Sequence, residues 1–325
     1  VKIPLKLYYR TFYIENPRII YAKLDKPQGG QLMLDLLIST TVHGLILGII
    51  YSTIAMGMSL IFGVMGIKNL AHGDFAVLGM FTTYFLFGYL MSSFGIPPSL
   101  LSFALSFVVV FILFFVIGMT LTRFIFKHLI GEMLGSIILT FGVSIFMENV
   151  MLLVWGGDYR IIDIPYETYR LGPVSVNGAY LVAFVVTLAL IISTQLFLSK
   201  TKLGIAIRAV SQDVDAAESL GISSDTIRLV GGGLGIALAG CGGTILAIIY
   251  YIYPYLGILL TLYAMIICVL AGLGNVLGAF FGGIIIGVAQ SVATIWIPYA
   301  LTPAVGFALF VLILIFKPKG LFTRG

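Results

Sequence analysis

Polar and ionisable side chains are scarce in this sequence, and those that interrupt its apolar stretches are the ones able to do chemistry: Asn69, His72, Asp74, Glu148, Asn149 and Gln290. A charge in hydrocarbon costs roughly 2.5–3.5 kcal/mol or more, so such groups by default face an interior cavity, a partner or a proton path. Glu148 meets this argument most directly, because Ile145-Phe146-Met147 precede it and Val150 follows Asn149. Two readings stay open for it: a functional carboxylate, or one that reaches the outer surface and pairs near Arg160. For His72, metal or proton-relay chemistry would need partners beyond Gly73 and Asp74, and a structural role at a helix terminus is the simpler reading. Asn69, His72, Glu148 and Asn149 are the expected contacts of a translocation path.

Constellations for catalysis are missing. There is no HExxH, no GxSxG, no Cys–His pairing at useful spacing and no dense carboxylate cluster in an apolar run, so no catalytic residue or metal site is expected and the chain does not read as an enzyme. Cys241 and Cys268 lie within apolar segments, where they act as small hydrophobes. No GxxxxGK[ST] loop occurs either. If ATP drives transport, it is hydrolysed on a separate polypeptide, and no cofactor is expected on this one.

The elements that must position these groups follow from composition. The 325 residues are 60% hydrophobic and 10% charged, with a mean hydropathy of +1.13, far from the roughly 45–50% apolar and 25% charged of soluble domains. At about 20 residues per span there is room for about eight to ten crossings. Apolar runs fall near 34–66, 73–94, 99–126, 133–156, 179–199, 227–251, 258–273, 277–297 and 299–316. The expected fold is an all-α, polytopic transmembrane bundle with some broken or re-entrant segments, organised as one membrane domain over 34–325. The net charge of +5 is explained by headgroups and topology, and nucleic acid is not an expected partner.

Basic residues set the orientation. Arg123, Lys127 and His128 mark one inner loop, Lys200, Lys202, Arg208 and Arg228 another, and Lys317, Lys319 and Arg324 the tail, while Asp158, Asp163 and Glu167 mix with Arg160 and Arg170 outside. Residues 1–33, with Lys2, Lys6, Arg10, Arg18, Lys23 and Lys26 among aromatics, read as a basic segment on the cytoplasmic membrane surface rather than a cleaved signal. Both termini are then cytoplasmic, in a multi-pass protein of the inner membrane. That placement, together with Lys68 inside, requires an even number of crossings between 34 and 66. Since the run is short for two spans, a break around Tyr51 to Ala55 or a re-entrant Gly63 to Gly73 is expected, and the broken element is the preferred form.

Glycine clusters at 231–235, 240–243, 272–274 and 278–287 fit close helix packing through small residues better than a nucleotide loop. A short internal match relates Gly66, Asn69, Gly73 and Phe75 to Gly272, Asn275, Gly278 and Phe280, which is either a repeat of transporter halves or chance similarity between glycine-rich segments.

The loop 200–227 stands apart as a polar helical stretch. Ala206, Ala209, Asp213, Ala216, Ala217 and Leu220 recur every three or four residues, which gives a helix one face of small side chains. Ser211 or Asp213 can cap its last turns and Gly221 can end it. Such a helix can seat in a partner's groove, or it is a plain connector.

Thr201-x-x-Gly204-x-Ala206-x-Arg208-Ala209, Asp213, Ala216-Ala217 and Leu220-Gly221-Ile222 resemble the ATPase-coupling loop of permeases in branched-chain amino acid ABC importers, in the shorter of that family's two permease types. Asn69-Leu70-Ala71-His72-Gly73, Gly142-x-Ser144-Ile145-Phe146, Pro254-Tyr255-x-Gly257, Gly278-Ala279-x-x-Gly282-Gly283 and Lys317-Pro318-x-Gly320-Leu321-Phe322 agree in order, so the likeness spans about 35–322. The resemblance implies a translocation subunit paired with a second related permease, two cytoplasmic ATPases that use ATP, and an extracytoplasmic binding protein. Arg208, Ala209, Asp213, Ala217 and Gly221 would be its ATPase contacts. Tyr263 and Gln290 depart from the lysine and glutamate usual in similar permeases. If those two pair with each other in relatives, losing both leaves no charge unpaired, which requires positions 263 and 290 to be adjacent. The alternative functions are an ion- or proton-coupled secondary transporter, with Glu148 titrating, and a non-transporting membrane scaffold.

Overall fold

A computed structural model describes residues 29–171, 174–317 and 320–322. The expectation for the N-terminal segment 1–33 falls almost wholly outside these residues.

The membrane domain is a bundle of α-helices: α1 (Gly29–Met65), α2 (His72–Phe94), α3 (Leu100–Phe124), α4 (Met133–Trp155), α5 (Gly178–Lys200), α8 (Ser224–Leu246), α9 (Leu256–Ala271), α10 (Val276–Ala293) and α11 (Thr302–Phe316). Between α5 and α8 lie two short helices, α6 (Lys202–Gln212) and α7 (Val214–Ser219), and a hairpin of β1 (Thr168–Leu171) and β2 (Val174–Asn177) precedes α5. Eight of the helices, counting the 3-10 turn Tyr299–Leu301 with α11, are long and apolar enough to cross a membrane, and α9 is a shorter apolar helix.

The run at 34–66 is one uninterrupted helix rather than a broken element. Its 37 residues span about 55 Å at 1.5 Å per residue, more than a bilayer core of about 30 Å. Gly44, Gly48 and Gly57 do not break it, because each sits where another backbone passes too closely for a side chain. A Cβ on Gly48 would lie 2.5 Å from the Gly283 carbonyl oxygen, and one on Gly57 would lie 2.4 Å from that of Gly235. These glycines are contact points of helix crossings. One crossing places Gly29 at the end of the bundle opposite Lys68, so the even count before Lys68 does not hold.

Gly66, at φ +70°, ends the helical path, and an irregular segment leads into α2. Contacts then fix which turns share an end. A Cβ on Gly63 would lie 3.2 Å from Gly274 Cα and 3.7 Å from Ser211 Cβ. Leu321 N donates to Leu270 O at 2.7 Å and Asn275 Nδ2 to Phe322 O at 2.9 Å. The tail 320–322, the α9–α10 turn, the α1–α2 segment and α6 therefore share one end, which also carries Lys68, Lys127, Lys200 and Arg208. At the opposite end Arg160 and Ile252 exchange backbone hydrogen bonds of 3.0 and 2.8 Å.

Helices α1 and α8 are the most enclosed, whereas α4 and α11 are peripheral. Glycines on α8 admit its neighbours: Cβ atoms on Gly240 and Gly243 would overlap Phe114 of α3 and the Ala76 carbonyl of α2. Two helix crossings share a local arrangement, although not in the register of the short internal match, which aligns Gly73 with Gly278. Gly73 of α2 is received by Gly257 and Thr261 of α9, while Gly283 of α10 is received by Gly48 and Ser52 of α1. In both cases a glycine four residues before a hydroxyl accommodates a glycine of the facing helix.

Candidate functional site

The irregular segment before α2 has backbone polar groups that helix geometry cannot satisfy, and hydroxyls from two other helices satisfy them. Thr140 Oγ1 of α4 accepts from Leu70 N and lies 3.1 Å from Lys68 O. Thr261 Oγ1 of α9 accepts from Gly73 N at 2.8 Å and donates to Leu70 O at 3.0 Å. His72 Nε2 meets the Ile54 carbonyl of α1 at 2.9 Å, and the Ser144 hydroxyl donates to Asp74 Oδ2. Four helices are thereby joined by side chains buried within the chain.

Asn69 and His72 consequently take structural positions. Asn69 Oδ1 accepts from Ala71 N at 3.1 Å, and His72 fixes the start of α2 against α1, as the helix-terminal reading anticipated. Neither residue lines the tyrosine-rimmed cavity described below. Glu148 is half-buried one turn beyond Ser144, whereas Asn149 is exposed and donates to Ile145 O at 2.8 Å. Pairing of Glu148 with Arg160 does not occur: Arg160 Nη2 donates to Trp155 O at 2.5 Å and its guanidinium stands 5.3 Å from the Tyr84 and Phe85 ring centres.

Thr140, Ser144 and Thr261 were not among the residues singled out from sequence for this segment, although a signal exists. Ser136, Thr140 and Ser144 recur every fourth residue on one face of α4 and are all buried. Thr261→Val keeps the shape and removes both bonds to the α2 segment. Each stranded backbone group costs about 1–3 kcal/mol, so the unfolding midpoint in detergent should fall, and an unchanged midpoint would contradict the bracing role.

A cavity of about 200 Å³ opens at the end opposite α6. Leu246, Leu256, Leu259, Leu260 and Pro303 form its apolar wall, and Tyr51, Tyr250, Tyr263 and Tyr299 supply hydroxyls. Tyr51 Oη and Tyr250 Oη are 3.0 Å apart, Tyr250 Oη and Tyr299 Oη 3.1 Å, and the Tyr51 and Tyr263 ring centres 5.0 Å. Gln290 interacts directly with Tyr263. The two positions at which the sequence departs from its look-alikes are thus adjacent, as a paired exchange requires. The tyrosines, spread over residues 51–299, gave no sequence signal because their convergence is entirely tertiary.

At the basic end, the loop forms two capped helices. Thr201 Oγ1 accepts from Gly204 N at 3.0 Å, Asp213 Oδ1 from Ala216 N at 3.0 Å, and Gly221 takes φ +82° after α7. Asp213 is itself extended, so the single helix expected from the alanine spacing is divided in two. Only part of the alanine face points inward: Ala217 is 2% exposed and, with Ile207 and Val210, belongs to one hydrophobic cluster with Leu60, Ile61 and Val64 of α1, whereas Ala216 is exposed. Ala209 is half-buried on the same cluster. What faces outward is Arg208, Asp213, Gly221, Ile205 at 50% exposure and Leu220 at 81%. The Ser224 hydroxyl donates to Glu218, and Lys127 Nζ meets Asp225 Oδ2 at 2.7 Å. An open groove between α7 and α8 is lined by Glu218, Gly221, Asp225 and Arg228.

The family model described as "Branched-chain amino acid transport system / permease component" matches residues 40–316. The chain belongs to this permease family. It is 29% identical over 290 residues to the high-affinity branched-chain amino acid transport system permease protein LivH of Salmonella typhimurium, covering 87% of this permease and 94% of that relative. Against the corresponding protein BraD of Pseudomonas aeruginosa it is 30% identical over 291 residues, with the same coverage. A probable branched-chain amino acid transport permease protein LivH of Methanocaldococcus jannaschii is 28% identical, with 78% of this permease and 81% of the relative covered. No solved structure matches. The matched residues take in every membrane helix apart from the first residues of α1.

Proposed function

We propose that this permease is one membrane-spanning subunit of an ATP-driven importer for branched-chain or other hydrophobic amino acids. It works with a second related permease, two ATPase subunits at the basic, cytoplasmic end and an external binding protein at the other. Family membership supports the transport role, and the relatives' names support the solute class. The observation that carries the mechanism is the mounting of α6 and α7: buried Ile207, Val210 and Ala217 join them to a hydrophobic cluster shared with α1 and α8, while Arg208 and Leu220 are exposed.

A helix pair fastened in this way moves with the spans beneath it. Force applied by an ATPase to Arg208, Asp213, Gly221 and Leu220 is therefore transmitted through a packed core, which yields in discrete rearrangements and not by gradual bending. The ordinary connector reading predicts no such fastening. Glu148 and Asn149, on the peripheral α4, belong to a face that the second permease would cover, and a carboxylate there would border the path between the two subunits.

The test is leucine uptake by the assembled transporter in sealed vesicles, with ATP supplied on the cytoplasmic face and no ion gradient. Uptake that requires ATP supports the importer. Uptake sustained by a gradient alone would reject it in favour of a secondary transporter.

A further inference from the structure

We infer that the tyrosine-rimmed cavity is a subsite for the aliphatic side chain of the transported amino acid, whose charged head stays at the mouth beside Tyr299. This rests on the importer reading above and adds a place within the chain where the solute is recognised.

The lining divides by chemistry. Leu246, Leu256, Leu259 and Leu260 present only hydrocarbon, and the polar groups that reach the cavity are neutral phenols with the Thr302 hydroxyl. No carboxylate, ammonium or guanidinium lines it. A side chain bearing charge would lose its hydration there without a counter-charge, whereas each buried methylene gains about 0.8 kcal/mol. The volume of about 200 Å³ is below the roughly 300–1,000 Å³ of drug-sized sites, which suits a single small side chain.

The hydroxyls are linked to one another. Tyr51, Tyr250 and Tyr299 form a chain with links of 3.0 and 3.1 Å. Three phenols carry three donors and two links consume two, which leaves one donor and spare acceptor lone pairs for a solute. Tyr299 is 67% exposed at the rim, whereas Tyr51 is 6% exposed, so the hydroxyl chain runs from the mouth inward along one side while the leucines form the other, and the charged head of an amino acid entering side chain first stays at the exposed end. Gln290, which interacts with Tyr263, is likewise neutral.

Ala300 lines the same mouth and is exposed, so a change there does not disturb the core. Ala300→Cys in the assembled transporter can be labelled with N-ethylmaleimide, since Cys241 and Cys268 are buried. Saturating leucine should slow labelling at least about 10-fold, the scale of discrimination that a fitted apolar pocket provides, and glutamate should leave it unchanged. As a second arm, Ala300→Trp should reduce leucine uptake by at least about 10-fold while ATP hydrolysis persists. Equal protection by glutamate, no protection by leucine, or normal uptake with tryptophan at the mouth would each overturn the subsite even though wild-type uptake remains ATP-driven. A wild-type transporter that takes up no leucine overturns the importer reading and the subsite with it.

Discussion

Changing Arg208 to glutamate together with Leu220 to aspartate is expected to reduce ATP-driven uptake by about 30-fold or more, the scale of losing a hot spot at an interface. Insertion and thermal stability should stay near wild type, because both side chains are exposed and contribute little to the packed core. Basal ATP hydrolysis should continue, since the hydrolysing machinery is expected on another subunit. The measurement is uptake against hydrolysis in the same vesicles. Unchanged uptake would remove these residues from the coupling interface. Ala217→Arg is not an equivalent test: Ala217 is 2% exposed, and an arginine there would bury an unpaired charge among α1 side chains. Its expected result is loss of folded protein, whatever the loop does.

Gly287→Leu is expected to abolish recovery of folded protein from the membrane. A Cβ at this position would already lie 2.3 Å from Gly48 Cα and 2.4 Å from the Gly44 carbonyl, and the backbones of α1 and α10 cannot yield as a flexible side chain would. Separating the helices would also break the bonds from Ser52 Oγ to Phe280 O at 2.9 Å and from Ser291 Oγ to Thr40 O at 2.7 Å. Overpacking costs typically about 1–3 kcal/mol, and here the lost hydrogen bonds add to it. Gly88→Ala supplies the contrast, since nothing lies within 4 Å of a Cβ there and alanine is favoured over glycine inside a helix by about 0.5–1 kcal/mol. Folded yield should therefore collapse for the first variant and hold or rise for the second, as read by size-exclusion chromatography in detergent. Comparable yields would refute the close crossing.

Much of the architecture was legible because its signals are local. Apolar runs became helices nearly where hydropathy placed them, Asp213 and Gly221 cap and end the loop helix as their residue types suggested, and the 278–287 glycines mediate close packing. The misreadings have one physical origin, which is that a local pattern does not say what lies opposite it. The break expected around Tyr51 to Ala55 does not form, and the neighbouring Gly48 and Gly57 are where α10 and α8 pass against α1. Likewise, of the small residues at 206–217 only Ala206, Ala209 and Ala217 join the cluster beneath the loop, while the outward face is carried by Ile205, Arg208, Ala216 and Leu220. The same limit applies to the candidate path. His72 and Asp74 stood out as costly polar groups, and Ile54 and Ser144 from distant helices offset only part of that cost, since His72 Nδ1 and Asp74 Oδ1 stay buried with no partner among the described residues. Tyr51, Tyr250, Tyr263 and Tyr299 looked unremarkable, and only folding brings them to one cavity.

Leu220→Cys provides the most direct examination of the coupling loop. With Cys241 and Cys268 buried, a membrane-impermeant maleimide added to either face of sealed vesicles reports the side and the accessibility of position 220. The account predicts labelling only from the ATP-consuming face in the permease pair, strong protection once the ATPase subunits are bound, and disulfide cross-linking to a cysteine placed in their groove. Labelling from the opposite face, or equal labelling with and without the ATPases in a transporter that imports leucine, would contradict it.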